Sequence, residues 1–324
     1  MRSRQLITGV MILLGLILGL YASAAAGQRM IAIASIFPVA DLVQQIGGER
    51  WETLTLLPAG ASAHTYEPTP EQVRQLAQAS AFFRIGLRLE FWLEKLVYAA
   101  KNPALVNVDL SEGIETIPTP SAELPTAPQK GARPGPEPYR RQSSREHQHG
   151  HGYEGPDAHY WLDPIRMLQV VSRIEQELTK LDPEDAKLFA ERAQRVRTDL
   201  EQLHAEIIQR TEGLQNRRFI ALHAAWTYFA PRYNLAQAAV VEPFPGREPS
   251  PRYLAGLAQL MRREQIQAVV IEPQLNTTAA QALARETGAR VGLMDPYGGP
   301  GVPGRESYID LMRYNVAALV KLLE

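Results

Sequence analysis

Three observations in the sequence predict an α/β fold built in two halves. Short apolar runs alternate with segments whose apolar residues recur at helical spacing, which is typical of strands alternating with helices around a parallel sheet. The alternation stops in a polar, proline-rich stretch and then resumes. The longest helical pattern begins after Asp182 and Pro183, runs to about residue 214, and lies between the two halves.

The first half is predicted from its apolar runs and from the helix signals between them. Strands are expected at residues 29–35, 53–57, 81–85 and 104–109. Helices are expected at residues 39–46, from residue 69 onward, and at 90–100. The second helix has the clearest start, because Thr69 can cap it, Pro70 suits its first position and Glu71 adds an acid to its first turn.

Regular patterning is lost at about residues 115–157. Seven prolines fall between Pro118 and Pro138, and no periodic apolar face exists there. Such a composition cannot bury a core, so we expect an exposed, disordered insertion. It contains His147, His149 and His151, which fit either an auxiliary metal-binding role or a solvated tether.

The second half repeats the pattern of the first. After a helix at residues 167–181, the long helix carries a buried-type stripe of Val196, Leu200, Leu203 and Ile207. Strands follow at residues 219–222, 238–242, 268–272 and 291–294, and helices at 251–264, 277–287 and 307–323. The uninterrupted apolar run that begins the strand at 268–272 is typical of a strand buried on both faces.

Composition and the N-terminus limit the possible functions. Arg2 and Arg4 precede an apolar run to Leu20 and then small residues, which predicts a signal peptide at residues 1–27; the alternative is an uncleaved anchor. The chain has 34 Lys plus Arg and 35 Asp plus Glu, so charge gives no reason to expect a nucleic-acid partner. Because there is no cysteine, disulfides contribute nothing, and a transition-metal site would use imidazole and carboxylate ligands.

Three isolated histidines lie at positions suited to a shared site. His64 follows a predicted strand, His159 stands where order resumes after the insertion, and His223 ends the strand at 219–222. Ligands bind at the carboxyl ends of strands in open α/β sheets. Taken singly, each histidine also fits a structural role: a loop residue bonded to backbone, an incidental neighbour of Trp161, or a buried side chain satisfied by a neighbour.

Two acidic residues follow later strands. Asp295 comes after the strand at 291–294 and is the candidate fourth ligand. Glu272 ends the strand at 268–272 and is either its rival or an acceptor that orients an imidazole. Three imidazoles and one carboxylate would complete a four-coordinate site suited to Zn²⁺.

Several ordered motifs carry a resemblance to a known family. LLPAGASAHTYEPTPEQVRQLAQ, DAHYWLDP, LHAAWTYFAPRYNL, VVIEPQLNTTAAQALARETGARV and LMDPYGG resemble, in this order, the metal-binding solute-binding proteins of ABC transporters, in their zinc/manganese group. The resemblance implies two α/β lobes with parallel sheets, joined by one long rigid helix, with the metal in the interlobe cleft. It further implies metal ligands at His64, His159, His223 and Asp295. A histidine at position 223 and a histidine-rich loop are similar to the zinc members, so zinc is expected over manganese.

The expected organisation and function follow from this resemblance. Residues 1–27 would be the signal peptide, 28–182 the N-terminal lobe with its insertion, 183–215 the linking helix, and 216–324 the C-terminal lobe. The protein would be a periplasmic monomer that captures Zn²⁺ for a membrane permease with an ATPase subunit, without enzymatic activity.

Three other functions stay open at this point. The first is a manganese or broad-range metal carrier of the same family. The second is a secreted zinc hydrolase with Glu67 or Glu272 as general base, although the sequence contains no H-E-x-x-H motif. The third is an adhesin-like surface protein.

Overall fold

A computed structural model describes residues 29–120 and 155–324, which form two four-stranded parallel sheets. The first sheet contains β1 (Met30–Ala34), β2 (Trp51–Thr55), β3 (Ala81–Arg84) and β4 (Val106–Asp109). The second contains β5 (Arg218–Ala221), β6 (Ala236–Val240), β7 (Ala268–Ile271) and β8 (Arg290–Leu293). The strand orders are β2-β1-β3-β4 and β6-β5-β7-β8, so both sheets have the same topology. The predicted α/β class with two lobes is confirmed.

The described ranges contain helices on both faces of each sheet. They are α1 (Phe37–Gly47), α2 (Pro70–Gln78), α3 (Leu93–Ala100), α4 (Pro164–Leu181), α5 (Ala186–Glu212), α6 (Phe229–Arg232), α7 (Pro251–Arg263), α8 (Thr278–Thr287) and α9 (Tyr308–Leu323). Short 3₁₀ turns lie at Gly48–Arg50, His159–Leu162, Pro183–Asp185 and Ala224–Trp226. Within these ranges, no helix has the length and apolar character needed to cross a membrane.

The side chains of each sheet alternate between two cores. On β1, Ile33 packs with α2 and α3, while Ala32 and Ala34 face the opposite way into the largest buried cluster. On β5, Ile220 packs with α7 and α8, while Phe219 and Ala221 join that same largest cluster. The alternation arises because successive side chains of a strand point to opposite faces of the sheet. Each sheet is therefore covered by helices on both faces.

The predicted long helix between the halves is confirmed as α5. At a rise of about 1.5 Å per residue, its 27 residues span roughly 40 Å. It packs against α1 and α4 of the first half and against α9 of the second. The guanidinium of Arg192 donates to the carbonyl of Gly47 at 3.0 Å, and Arg313 of α9 pairs with Glu206 at 2.7 Å. The helix is therefore attached to both halves by its buried apolar side chains, by a hydrogen bond to the first half and by an ion pair to the second.

Of two predicted helix starts in the first half, one agrees with the structure and one differs. α2 begins where expected, with Thr69 and Gln72 forming a reciprocal capping box. α3 begins at Leu93 and not at Glu90, because the Glu90 carboxylate accepts hydrogen bonds from the backbone N–H of Ile85 and Gly86. A buried carboxylate used in this way closes the turn after β3 instead of starting a helix.

The ends of the insertion are ordered, in contrast to the prediction for residues 115–157. Residues 115–120 and 155–157 run side by side, with an antiparallel bridge between Pro118 and Pro156. The backbone N–H of Asp157 donates to the carbonyl of Ile117 at 2.8 Å. His147, His149 and His151 lie outside the described residues, as does the predicted signal peptide at 1–27.

Candidate metal centre

The structure brings His64, His159 and His223 together. Nε2 of His159 lies 3.1 Å from Nε2 of His64 and 3.3 Å from Nε2 of His223. The three ring centroids are 5.1–5.3 Å apart. In the described residues these histidines form a group whose ligand atoms all lie within 4.8 Å of one another.

Different elements supply the three imidazoles. His64 lies in the segment that connects β2 to α2, where the indole N–H of Trp92 donates to the carbonyl of Ala63 at 3.1 Å. His159 begins the 3₁₀ turn before α4. His223 follows β5 in extended backbone, at the carboxyl end of the second sheet. Two of the three positions thus follow strands of the two different sheets.

The spacing of the nitrogens fits one small cation. With metal–nitrogen bonds of 2.0–2.1 Å, tetrahedral geometry separates two ligand nitrogens by about 3.3 Å. The two close pairs of Nε2 atoms have this separation. The arrangement can therefore bind a divalent ion with little movement of the rings.

Two buried carboxylates orient two of the imidazoles. Nδ1 of His159 lies 2.9 Å from a carboxylate oxygen of Asp157, and Nδ1 of His223 lies 2.8 Å from one of Glu272. A carboxylate that accepts from Nδ1–H leaves the Nε2 lone pair free for a metal and fixes the ring direction. Glu272 is thus positioned for the orienting role, and both of its predicted roles, orienting acceptor and rival metal ligand, stay predictions.

Asp157 was not predicted as part of the site. The sequence marks it only as the end of the insertion, and the signal that could have found it is an acid two residues before a candidate ligand. Among residues 29–120 and 155–324, the second oxygens of both Asp157 and Glu272 are buried and have no hydrogen-bond partner. Unpaired carboxylate oxygens are costly in the interior, and a bound dication would compensate their charge.

Burial and charge affect the histidines differently. Burial lowers the pKa of His64 well below its usual value, and the neighbouring His159 and His223 add to that effect. Burial also acts to lower the pKa of His223, but the charge and hydrogen bond of Glu272 outweigh it, so the net pKa of His223 is raised. The lowered pKa favours neutral His64, whereas the raised pKa makes His223 bind a proton more readily than an ordinary imidazole does.

Aromatic rings close one side of the centre. The indole of Trp161 lies 5.0 Å from the ring of His159 and stacks on Tyr297 at 5.7 Å. Its N–H donates to the carbonyl of Pro296 at 2.8 Å. Trp161 therefore connects the His159 turn to the loop that follows β8.

Two glycines of the second half contact the segment that carries His64. A Cβ at Gly246 would lie 2.8 Å from a methyl carbon of Thr65, and one at Gly299 would lie 2.9 Å from Cβ of Ala59. Gly246 also has a φ of +80°, which disfavours other residues. The absence of side chains at these positions allows loops of the second half to approach His64 closely.

The structure does not bring Asp295 into the group of three histidines. One carboxylate oxygen accepts hydrogen bonds from the side chain of Gln274 and the backbone N–H groups of Tyr297 and Gly298. The other pairs with Arg305 at 2.9 Å. Its role as a fourth ligand stays a prediction.

Glu67, one candidate base of the hydrolase alternative, is exposed.

Comparison with known proteins gives matches over nearly the whole chain. A family model described as the periplasmic zinc-uptake complex component A matches residues 33–322. The zinc-binding lipoprotein AdcA of Streptococcus pneumoniae (strain ATCC BAA-255 / R6) is 24% identical over 91% of this chain, which spans 56% of that relative's length. The manganese-binding lipoprotein MntA of Halalkalibacterium halodurans is also 24% identical, over 91% of this chain and 88% of the relative.

A solved structure agrees with the fold. A crystal structure of ZnuA superposes with a TM-score of 0.74 and 28% identity, over 92% of this chain and all of that one. The agreement extends across both sheets, because the overlap covers nearly the entire chain.

Proposed function

Since the chain belongs to the periplasmic zinc-uptake component A family, we propose that it captures Zn²⁺ and delivers it to the permease of an ABC importer driven by an ATPase subunit. The observation that carries this proposal is the convergence of three imidazole nitrogens at 3.1 and 3.3 Å. His64, His159 and His223 are the proposed ligands. A fourth position is available to water or to a carboxylate.

Zinc is the proposed cargo because of the donor set. Neutral imidazole nitrogen suits Zn²⁺, whereas carboxylate and carbonyl oxygen suit Mn²⁺. Mn²⁺ also lies at the weak end of the general affinity order for divalent metals. A manganese or broad-range carrier is the second candidate, supported by the similarity to a manganese-binding lipoprotein.

A carrier agrees with the surroundings of the site better than a hydrolase does. A catalytic zinc needs a base that can reach its bound water. One carboxylate oxygen of Glu272 accepts from His223, and Glu67 is exposed. We therefore propose that the protein binds and releases metal without chemical transformation.

The proposed location is the periplasm, with the protein working as a monomer beside its permease. The predicted signal peptide at residues 1–27 and the family description support this location. Cell fractionation tests it, and recovery of the protein only with surface-exposed material would favour the adhesin alternative.

A competition titration of purified protein tests the choice of metal. Zn²⁺ should displace Mn²⁺ and bind at least about 100-fold more tightly. The variants His64→Ala and His223→Ala should each lose most of the zinc affinity. His204→Ala is the matched control, because His204 lies on α5 and bonds to the hydroxyl of Tyr233 outside the three-histidine group. Equal affinity for both metals, or unchanged zinc binding in both ligand variants, would refute the assignment.

A further inference from the structure

Two loops of the second half contact the segment that connects β2 to α2 and carries His64. The turn that follows β6 brings Gly246 against Thr65, the residue next to His64. The loop that follows β8 brings Gly299 against Ala59. At both places an added Cβ would lie 2.8–2.9 Å from a carbon of the segment, which is closer than packed carbon atoms lie. The two halves therefore meet before and after His64 with no room for a further side chain.

The contact between Gly246 and Thr65 lies at the outer edge of the metal centre. Both residues are exposed, and His64 beside them is half-buried. His159 and His223 are buried. His64 is therefore the proposed ligand nearest to solvent, and the Gly246 contact lies beside it.

A buried carboxylate holds the turn at residues 242–246 in place. Glu242 is 3% exposed, and its side chain accepts from the backbone N–H of Gly246 at 3.1 Å. The backbone N–H of Glu242 donates to the carbonyl of Leu222, directly before His223, at 2.7 Å. Two of the three residues between Glu242 and Gly246 are prolines, which restrict the backbone further. The 242–246 turn is thus tied to the strand end that carries His223.

We propose that the 242–246 turn is a gate for the metal, and that its contact with Thr65 must open before the ion can leave. This inference rests on the proposed metal-binding function and adds the step that limits release. While the contact is closed, the segment with His64 stays against the strand end that carries His223. When the contact opens, His64 is the imidazole that can move away, because no carboxylate among the described residues accepts from its Nδ1.

The rate of zinc release tests the gate. The zinc-loaded full chain is mixed with excess chelator in a stopped-flow instrument. Gly246→Ala places a Cβ against the methyl carbon of Thr65 and holds the contact apart, so release should be about tenfold faster. Gly288→Ala is the matched control, because Gly288 also has a left-handed φ, +72° against +80° for Gly246. Among the described residues, nothing lies within 4 Å of a Cβ added at Gly288, so its release rate should be unchanged.

A compensating substitution separates the gate from a general loss of stability. Thr65→Ser removes the methyl carbon that the new Cβ would meet and keeps the hydroxyl. The double variant Gly246→Ala with Thr65→Ser should therefore release zinc at close to the original rate. Strain from the left-handed backbone alone would not be relieved by a change at Thr65.

Two substitutions of Glu242 test the gate without a change at Gly246. Glu242→Gln and Glu242→Met both remove the charge, but only the glutamine keeps an oxygen that can accept from the N–H of Gly246. Release should therefore be faster in Glu242→Met than in Glu242→Gln. This pair decides the question if Gly246→Ala does not fold, as judged by circular dichroism.

Several results would overturn the inference. They are equal release rates in Gly246→Ala and Gly288→Ala, a fast rate that persists when Thr65→Ser is added, and equal rates in the two Glu242 variants. If the unmodified protein binds no zinc, the carrier assignment itself fails, and the gate fails with it. If the protein binds zinc tightly and the gate variants release it at the original rate, only the gate is wrong.

Discussion

At the scale of single residues, a buried carboxylate contacts two of the three imidazoles. Asp157 and Glu272 each bond to Nδ1 of a histidine and are themselves buried. Among the described residues, no such acceptor contacts Nδ1 of His64, which is also the most exposed of the three. The rings of His159 and His223 are therefore oriented by carboxylates, and the ring of His64 is the least constrained of the three proposed ligands.

Removing either carboxylate should weaken metal binding without removing a ligand. We expect Asp157→Asn and Glu272→Gln each to reduce zinc affinity by about 10- to 100-fold, because the ring loses its orientation and basicity. Isothermal titration against a zinc chelator measures the change. Glu206→Gln, which alters an exposed ion pair, is the control and should keep the original affinity.

Acid should release the metal, beginning at a higher pH than the titration of an ordinary histidine would cause. The raised pKa of His223 means that this imidazole takes up a proton at a higher pH than an ordinary histidine, and the protonated form cannot bind zinc. Zinc affinity measured between pH 8 and 5.5 should therefore fall steadily with pH. Glu272→Gln removes the charge that raises this pKa, so its loss of affinity should begin at lower pH. A profile that is flat over this range would contradict the assignment of His223.

The sequence predicts the three histidines that the structure brings together, but not the side chains around them. Each histidine lies in a compact motif beside a strand end or turn, which is a local signal. Asp157 has only a weak local signal, an acid two residues before a candidate ligand. Arg305 has none, because its contact with Asp295 depends on how the loop after β8 closes. Asp295 illustrates the limit, since its strand-end position was predicted and its pairing with Arg305 was not.

At the scale of elements, Asp163 connects the His159 turn to the second half. It accepts from the backbone N–H of Ile165 at the start of α4 and pairs with Arg166 and with Arg232 of α6. The Asp163 side chain is fully buried. One carboxylate therefore caps a helix and joins two elements next to the metal centre.

Replacement of Asp163 should destabilise the protein strongly. Asp163→Ala leaves two arginines without their carboxylate and removes a helix cap, for a loss of roughly 3–5 kcal/mol in the free energy of unfolding. Urea denaturation monitored by circular dichroism measures the loss. Glu206→Ala, which breaks the exposed pair with Arg313, should cost about 1 kcal/mol or less. Similar losses in the two variants would show that the buried ion pairs of Asp163 stabilise the protein no more than an exposed ion pair does.

The strands and helices themselves were predicted closely, because their signals are local. Apolar runs gave β3 and β7, and Thr69 with Pro70 gave the start of α2. The start of α3 was misjudged because Glu90 bonds to the turn after β3, a contact that helical spacing does not reveal. The order of strands within each sheet also depends on tertiary packing.

At the scale of the whole molecule, the two sheets share one continuous buried cluster. It includes Ala32 and Phe83 of the first sheet, Ala221 and Val270 of the second, and Leu200 of α5. The boundaries predicted from the sequence, at 28–182, 183–215 and 216–324, separate segments of different patterning. The buried cluster includes residues from all three segments. Because this cluster is shared, we expect the two lobes to move relative to each other only over a limited range. The metal would bind in the cleft between the lobes.

Metal binding should then stabilise the entire molecule. At a free zinc concentration about 1,000 times Kd, binding adds about 4 kcal/mol to the free energy of unfolding, which raises Tm by roughly 8 °C. Differential scanning calorimetry measures the shift, and a chelator should reverse it. The double variant His64→Ala with His223→Ala should lose most of the shift, and a full shift in that variant would place the metal elsewhere.

The central claim is that one zinc ion binds between His64, His159 and His223. Diffraction from zinc-loaded crystals, recorded on both sides of the zinc absorption edge, tests it most directly. We predict a single strong anomalous peak at about 2.0–2.1 Å from the Nε2 atoms of these three histidines. A peak that lacks these nitrogens, or no peak in zinc-loaded crystals, would contradict the claim.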